Sequence, residues 1–262
     1  MAEEKNEVVE QKKQPVTFSE KLTNSLLEVK DGLPKDFNTT RFVNNAIALL
    51  NENEQLGKFA QSYGTGQIMQ GLMKSAFLGL DAINKECYLI PYGNKMNFQI
   101  DYRGSKKLAK KYSIRPIKDI YAQLVRQGDD FKTWSDDKGQ HFEFQPMPFS
   151  DNAIVGAFAV CQYEDGEVLI DTMSIADLEN TRKQSKAPNS PAWKNFSGEM
   201  YKKTVLHRLC KQIEIDFENP KQREIFDNDM AINTEEEPPK VVDALADDDV
   251  IDTEYTESEV DE

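Results

Sequence analysis

The chain has 262 residues, 30 % of them charged and 39 % hydrophobic, with a net charge of −14 at pH 7, which suits one domain of moderate size with polar ends. No apolar run approaches the ~18 residues needed to span a bilayer, and Met1 to Lys13 lacks the apolar stretch of a secretory signal. Cys87, Cys161 and Cys210 are odd in number, far apart and set among apolar neighbours, so they read as reduced, mostly buried thiols in a reducing compartment rather than a disulfide framework.

Residues 1–16 are polar and read as a disordered segment. Residues 17–79 read as helical. Asn38-Thr39-Thr40 offers an N-cap before Phe42, Val43, Ala46, Ile47, Leu49 and Leu50, which recur at helical spacing. A second helix starts after Gly64-Thr65-Gly66 and ends near Gly79, carrying Ile68, Met69, Leu72, Met73, Ala76 and Phe77; Gly71 weakens it slightly. From Cys87 the period changes. Cys87 to Tyr92 reads as a strand and Gly93-Asn94 as a turn. Met96, Phe98, Ile100 and Tyr102 then alternate with Asn97, Gln99 and Asp101, a period of two.

Arg103 to Tyr112 returns to helix, with Leu108, Ala109 and Tyr112 on the inner side. Strands are expected at 115–127, 140–145, 153–164 and 167–173. Ala153 to Cys161 is apolar on both faces, as a central strand is, and Glu164-Asp165-Gly166 makes a hairpin turn. Helices resume at Ile175 to Lys183. Pro191 opens the longest predicted helix, Pro191 to Glu214, and Asn219-Pro220 begins a short one ending at about Met230. The fold class is therefore α+β. One folded domain, 17–226, lies between the N-terminal segment and an acidic tail, 227–262, expected to be disordered.

The net charge is uninformative until it is divided along the chain. From Asp227 to Glu262 there are 15 acids and one base, Lys240, while the other 226 residues hold 31 acids and 31 bases. Within that neutral body two stretches are basic. Arg103 to Lys118 has seven bases and no acids, and Arg182 to Lys211 has eight bases and one acid, Glu199. Arg103, Lys107, Lys110 and Lys111 share one helical face, and a helix that begins straight after a hairpin offers free N–H groups to an anion. Lys203, His207, Arg208 and Lys211 form a stripe opposite Val205, Leu206, Leu209 and Ile213. Such faces are either solvated surface or a site for a polyanion, whose repeating phosphates reward repeated cations. Tyr92, Phe98, Tyr102, Tyr112 and Tyr121 surround the first cluster. They are either core or a platform for unpaired bases, and Tyr92 and Tyr102 are the candidates for stacking.

These residues carry a resemblance. Gly79-Leu80-Asp81, Cys87-Tyr88-Leu89-Ile90-Pro91-Tyr92-Gly93 and Phe98-Gln99-Ile100-Asp101-Tyr102-Arg103-Gly104 resemble the first signature of the RecT family of phage recombination proteins. Ser190-Pro191-Ala192-Trp193-Lys194, Glu199-Met200-Tyr201-Lys202-Lys203-Thr204-Val205 and Arg208-Leu209-Cys210-Lys211 are similar to its second, except that Ala192 separates the family's Pro-Trp pair. The order and spacing agree over about residues 40–220.

The resemblance implies a protein that binds single-stranded DNA, anneals complementary strands and promotes strand exchange in phage-type recombination without ATP. It implies a curved antiparallel sheet backed by helices and a homo-oligomer in the form of a ring or helical filament. It also implies work in the cytoplasm of a bacterial host with a phage 5′-to-3′ exonuclease, and with host single-strand binding protein as a further partner. The family's basic positions fall on Arg103, Lys203 and Arg208, with Lys211 close by. The DNA-binding candidates are therefore Arg103, Lys106, Lys107, Lys110, Lys111, Lys202, Lys203, Thr204, Arg208 and Lys211. Truncation of Lys203 and Arg208 together is expected to weaken binding with little loss of fold.

No Walker loop follows Gly64 or Gly66, so no nucleotide hydrolysis is expected; neither His141 nor His207 has a second ligand at metal spacing, so no metal is expected, and the resemblance implies no cofactor and no catalytic residue. Two rivals stand beside this reading. A metal-dependent nuclease would use Asp165, Glu167, Asp171 and Asp101. An acidic DNA mimic would bind another protein, but its acids are concentrated in the tail.

Overall fold

The computed structural model describes residues 16–185 and 187–230. The disorder expected for 1–15 and for 231–262 lies outside the described residues. The fold is α+β, as the change of period implies, with seven antiparallel strands among the described residues.

Four helices lead: α1 (Phe18–Glu28), α2 (Thr39–Glu52), α3 (Glu54–Tyr63) and α4 (Gly66–Leu78). Asn38 caps α2 as expected, its side-chain oxygen accepting from Arg41 N at 2.9 Å, and Gly79 ends α4 in the left-handed region at φ 65°. Helix α4 packs on a hairpin of β1 (Cys87–Tyr92) and β2 (Lys95–Ile100). A Cβ on Gly71 would sit 2.2 Å from Leu89 Cδ2. The residue that lowers the propensity of α4 is thus the one that lets the hairpin close on it.

A three-stranded sheet in the order β3 (Ile117–Arg126), β6 (Ile154–Tyr163), β7 (Val168–Ser174) forms the centre. β6 is its middle strand, buried on both faces. Ala157, Ala159 and Cys161 join the main core, while Phe158 and Val160 point the other way into a second cluster. That cluster is roofed by a hairpin of β4 (Asp130–Asp136) and β5 (Gly139–Gln145), whose Phe131 stacks on Phe158 at 4.6 Å. Gln140 Oε1 accepts from Ile170 N at 2.7 Å and ties the hairpin to β7. β4 has no counterpart among the sequence expectations, because only Phe131 along it is even partly buried.

The C-terminal helices are α6 (Ile175–Gln184), α7 (Pro191–Asn195), α8 (Ser197–Cys210) and α9 (Pro220–Met230). The single long helix expected over Pro191 to Glu214 does not exist. The chain breaks at Phe196 (φ −135°, ψ 40°), so that Trp193 is buried beside Arg182 while Gly198 closes on the sheet. A Cβ there would meet Leu124 Cδ1 at 2.9 Å. The far end also stops early, because Ile215 turns back into a bridge with Ser113. Helix α8 lies across β3, β6 and β7, and α9 packs on α4 and β2. Since α9 runs to Met230, the first four residues assigned to the acidic tail are helical.

Cys87, Cys161 and Cys210 are unpaired and buried. Burial pushes the Cys161 thiol up to about 11 and the Cys210 thiol up to about 12, so at neutral pH both are inert thiols. Among the described residues no helix is long and apolar enough to cross a membrane.

Candidate nucleic-acid interface

The two signature stretches meet at one carboxylate. Asp101 ends β2 and caps α5 (Tyr102–Tyr112), its Oδ1 accepting from Arg103 N at 3.2 Å. Its Oδ2 accepts from Lys203 Nζ on α8 at 3.0 Å, and the Asp101 side chain is only 5 % exposed. The ammonium of Lys203 also lies 6.0 Å from the centre of the Tyr88 ring on β1. The free helix N-terminus expected at Arg103 is thus capped from within: Asp101 supplies the anion that a helix start attracts.

The basic face of α5 is divided between carboxylates on either side. Lys107 donates to Glu86 at 2.7 Å and to the Gly79 carbonyl at 2.9 Å. Lys111 donates to Asp36 at 2.6 Å, and that contact holds the Asp36 carboxyl below its ordinary range. Lys110 turns the other way, to Asp119 at 3.1 Å. Arg103 is exposed, with its Nε 3.3 Å from the Tyr102 hydroxyl. Among the described residues, Arg103 and the half-buried Lys106 make no ion pair.

On α8 the stripe is likewise divided. Arg208 forks onto Asp171 of β7, Nε to Oδ2 at 2.6 Å and an η nitrogen to Oδ1 at 2.5 Å. Lys202 pairs with Glu199 at 2.6 Å, and Thr204 Oγ1 donates to the Met200 carbonyl at 2.8 Å. His207 belongs to the stripe by spacing but not by charge. Burial first, then Lys211 and Lys203, push it down to about 4, so it is neutral at pH 7. Lys211 follows α8 and makes no ion pair among the described residues. Burial holds its pKa below the ordinary lysine range, an effect that Asp229 only partly offsets.

A model of the RecT family matches residues 40–243. The chain belongs to the RecT family. It is similar to Protein RecT of Escherichia coli strain K12, 28 % identical over 236 residues that cover 86 % of this chain and 81 % of that one. The match begins at α2 and contains both halves of the Asp101–Lys203 junction.

In this RecT-family chain the predicted basic residues that pair with a carboxylate fall into two groups. Lys203 and Arg208 hold nearly buried carboxylates, as does Lys107, so truncating Lys203 and Arg208 is here expected to cost stability as well as binding. Lys110, Lys111 and Lys202 hold exposed carboxylates, pairs worth about 0–1 kcal/mol, which can exchange a carboxylate for a phosphate at little cost. Tyr102 is half-buried against the core and Tyr92 is 39 % exposed at the end of β1. The acids of the nuclease reading are also engaged. Asp165 and Glu167 bind Arg115 at 2.6 and 2.8 Å, Asp171 binds Arg208, and Asp101 binds Lys203. Among the described residues no cluster of His, Cys, Asp or Glu could hold a metal ion.

One residue at this site escaped the sequence reading, because Asp229 was counted with the tail. Asp229 reaches from α9 to accept from Ile100 N at 3.0 Å, and burial pushes its carboxyl up to about 7.

Asp229 and His207 give stability opposite pH slopes. The His207 pKa is depressed in the fold, so its contribution is complete above about 6.5 and is lost as pH falls towards 4. The Asp229 pKa is raised, so its contribution is complete below about 4 and is lost as pH rises through 7. Urea midpoints measured from pH 4 to 8 should therefore diverge. Relative to wild type, His207→Gln gains most at acid pH and Asp229→Asn gains most above pH 7; parallel profiles would contradict both assignments.

Proposed function

We propose that this chain is an ATP-independent single-strand DNA-binding protein that anneals complementary strands and promotes strand exchange in phage-type homologous recombination. Membership of the RecT family makes it a DNA-binding recombination protein of the strand-annealing kind; the finer reading rests on its own residues. The observation that carries it is the junction of the two signatures, where the start of α5 meets α8 through Asp101 and Lys203. Around this junction lie Arg103, Lys106 and Lys211, cations without a carboxylate partner among the described residues, and the rings of Tyr88 and Tyr102.

The chemistry required is small. Cations hold phosphates without reading bases, and base edges stay open. Pairing itself supplies the drive, of order 1.4 kcal/mol per base-pair step. Assembly on a curved-sheet core into a ring or filament multiplies weak contacts and sets register. The reading assigns the chain no covalent step and no cofactor. It places the protein in the cytoplasm of a bacterial host, acting on strands exposed by a 5′-to-3′ exonuclease, with host single-strand binding protein as a second partner.

The direct test adds two complementary oligonucleotides in succession, without ATP, and follows duplex formation. Acceleration over the protein-free rate is expected; no acceleration, or magnesium-dependent degradation, would replace the reading. A second test separates contact from scaffold. Arg103→Ala with Lys106→Ala should lower the slope of log affinity against log salt by about 1.4, roughly 0.7 for each single-strand phosphate no longer neutralised. The urea midpoint should not move. An unchanged slope would leave these cations as solvated surface.

A further inference from the structure

We propose that the cleft between the start of α2 and the far end of α5 seats one nucleotide of the bound single strand, with its phosphate between Arg41 and Lys111 and its base against Phe37. The inference rests on the single-strand reading above and adds to it a contact away from the α5–α8 junction.

The cleft has a volume of about 90 Å³. Asp36, Phe37, Asn38 and Arg41 line it from the segment that leads into α2, and Lys107 and Lys111 line it from α5. Contacts fix the two sides together. Lys111 Nζ donates to Asp36 at 2.6 Å, and Lys107 Nζ donates to the Gly79 carbonyl at 2.9 Å. Asn38 Oδ1 accepts from Arg41 N at 2.9 Å, which leaves the Asn38 amide nitrogen to donate. Phe37 is half-buried, with its ring centre 5.1 Å from that of Phe42. Along α5, Arg103, Lys107 and Lys111 follow one another at four-residue steps, so Lys111 lies about 12 Å along the helix from Arg103. One basic row thus leads from the α5–α8 junction to the cleft.

The carboxylates here differ in how firmly they are held. Asp81, which also lines the cleft, is buried and already satisfied, accepting from Asn45 Nδ2 at 2.6 Å and from Ile83 N at 3.0 Å. Glu86 is nearly buried and keeps Lys107 at 2.7 Å. Asp36 has a side chain 78 % exposed and only Lys111 as its ion-pair partner among the described residues. An exposed pair of this kind gains little, so a phosphate can take the place of Asp36 on Lys111. Arg41 is exposed and makes no ion pair among the described residues, and its guanidinium can hold two phosphate oxygens at once. Cations alone would accept any anion. Phe37 adds a preference for a nucleotide, because any base can stack on an aromatic ring without being read.

The test uses the full chain with an oligothymidylate and with an abasic oligomer of equal length, and affinity is read by fluorescence anisotropy across salt. Arg41→Ala should weaken binding of both oligomers and lower the salt slope by about 0.7. Asp36→Asn frees Lys111 and should tighten binding of both by roughly two- to fivefold at low salt, converging with wild type at high salt. Phe37→Leu keeps an apolar contact with Phe42. It should weaken oligothymidylate binding by about fivefold or more and leave the abasic oligomer unaffected. An unchanged slope for Arg41→Ala, no tightening by Asp36→Asn, or an equal loss of both oligomers by Phe37→Leu at a wild-type urea midpoint would each overturn the inference while leaving single-strand binding intact. Thymidine monophosphate bound through Arg41, with oligomer binding unchanged in Arg41→Ala, would make the cleft a site for a free nucleotide and overturn it too. Failure of wild type to bind oligothymidylate at any salt would overturn the broader reading instead. Should Phe37→Leu lower the urea midpoint, the slope of Arg41→Ala decides alone.

Discussion

Gly104→Ala should lower stability by about 3 kcal/mol, at or beyond the upper end for overpacking. Gly104 stands in the first turn of α5, where a Cβ would come 2.1 Å from the Glu86 carbonyl oxygen and 3.0 Å from Ile100 Cγ2. The first neighbour is backbone, so no rotamer change relieves the clash. The same carbonyl accepts from Asp101 N at 3.0 Å. Pushing α5 away therefore strains the residue that caps the helix and holds Lys203. Strand annealing should fall together with stability. Gly57→Ala is the control. Nothing lies within 4 Å of a Cβ at that position in α3, so alanine should be neutral or stabilise by up to about 1 kcal/mol. Urea denaturation of both variants checks the contrast; similar midpoints would show that the hairpin–helix contact is looser than described.

The glycine of the Tyr102-Arg103-Gly104 motif shows how much of this protein is legible in its sequence. The motif could be recognised and the helix placed, because alternation along Met96–Ile100 and the helical spacing of Leu108, Ala109 and Tyr112 are local signals. β6 was legible too, because Ala153 to Cys161 is apolar on both faces, as a strand covered on both sides is. β4 was not, since one partly buried ring among exposed polar residues is no pattern. The break at Phe196 was also hidden. Its cause is where Trp193 and Gly198 must pack, and neither residue forbids a helix locally. For the site, spacing identified cations on a face but not the acids that meet them. Asp36 reaches Lys111 across 75 residues and Asp101 reaches Lys203 across 102. A basic stripe in sequence is half of an electrostatic statement, and the fold supplied the other half from carboxylates distant in the chain.

Arg208→Ala is expected to cost about 2–3 kcal/mol, measured by urea denaturation at pH 7. Its guanidinium makes two bonds to Asp171 and a third to the Thr172 carbonyl at 2.6 Å, fastening α8 to β7. Asp171 has a side chain 10 % exposed. Removing its partner leaves a carboxylate that can neither reach water fully nor find another cation, a change worth about 3–5 kcal/mol for a fully buried pair. The lower figure applies because Arg208 is 39 % exposed and water can enter the space it leaves. Arg208→Lys should lose less, since it keeps the charge and gives up only the fork. The double variant Arg208→Ala with Asp171→Asn removes the orphaned charge and should recover part of the loss, giving a coupling within the range of about 0.5–3 kcal/mol found for contacting residues. That double variant also decides whether Arg208 touches DNA. If its task is only to hold α8, affinity and salt slope return with stability. If it also meets a phosphate, the slope stays lower by about 0.7 after the fold has recovered. A single variant that costs less than about 0.5 kcal/mol, the scale of ordinary surface substitutions, would show that the pair is a surface contact and return Arg208 to the exposed basic face.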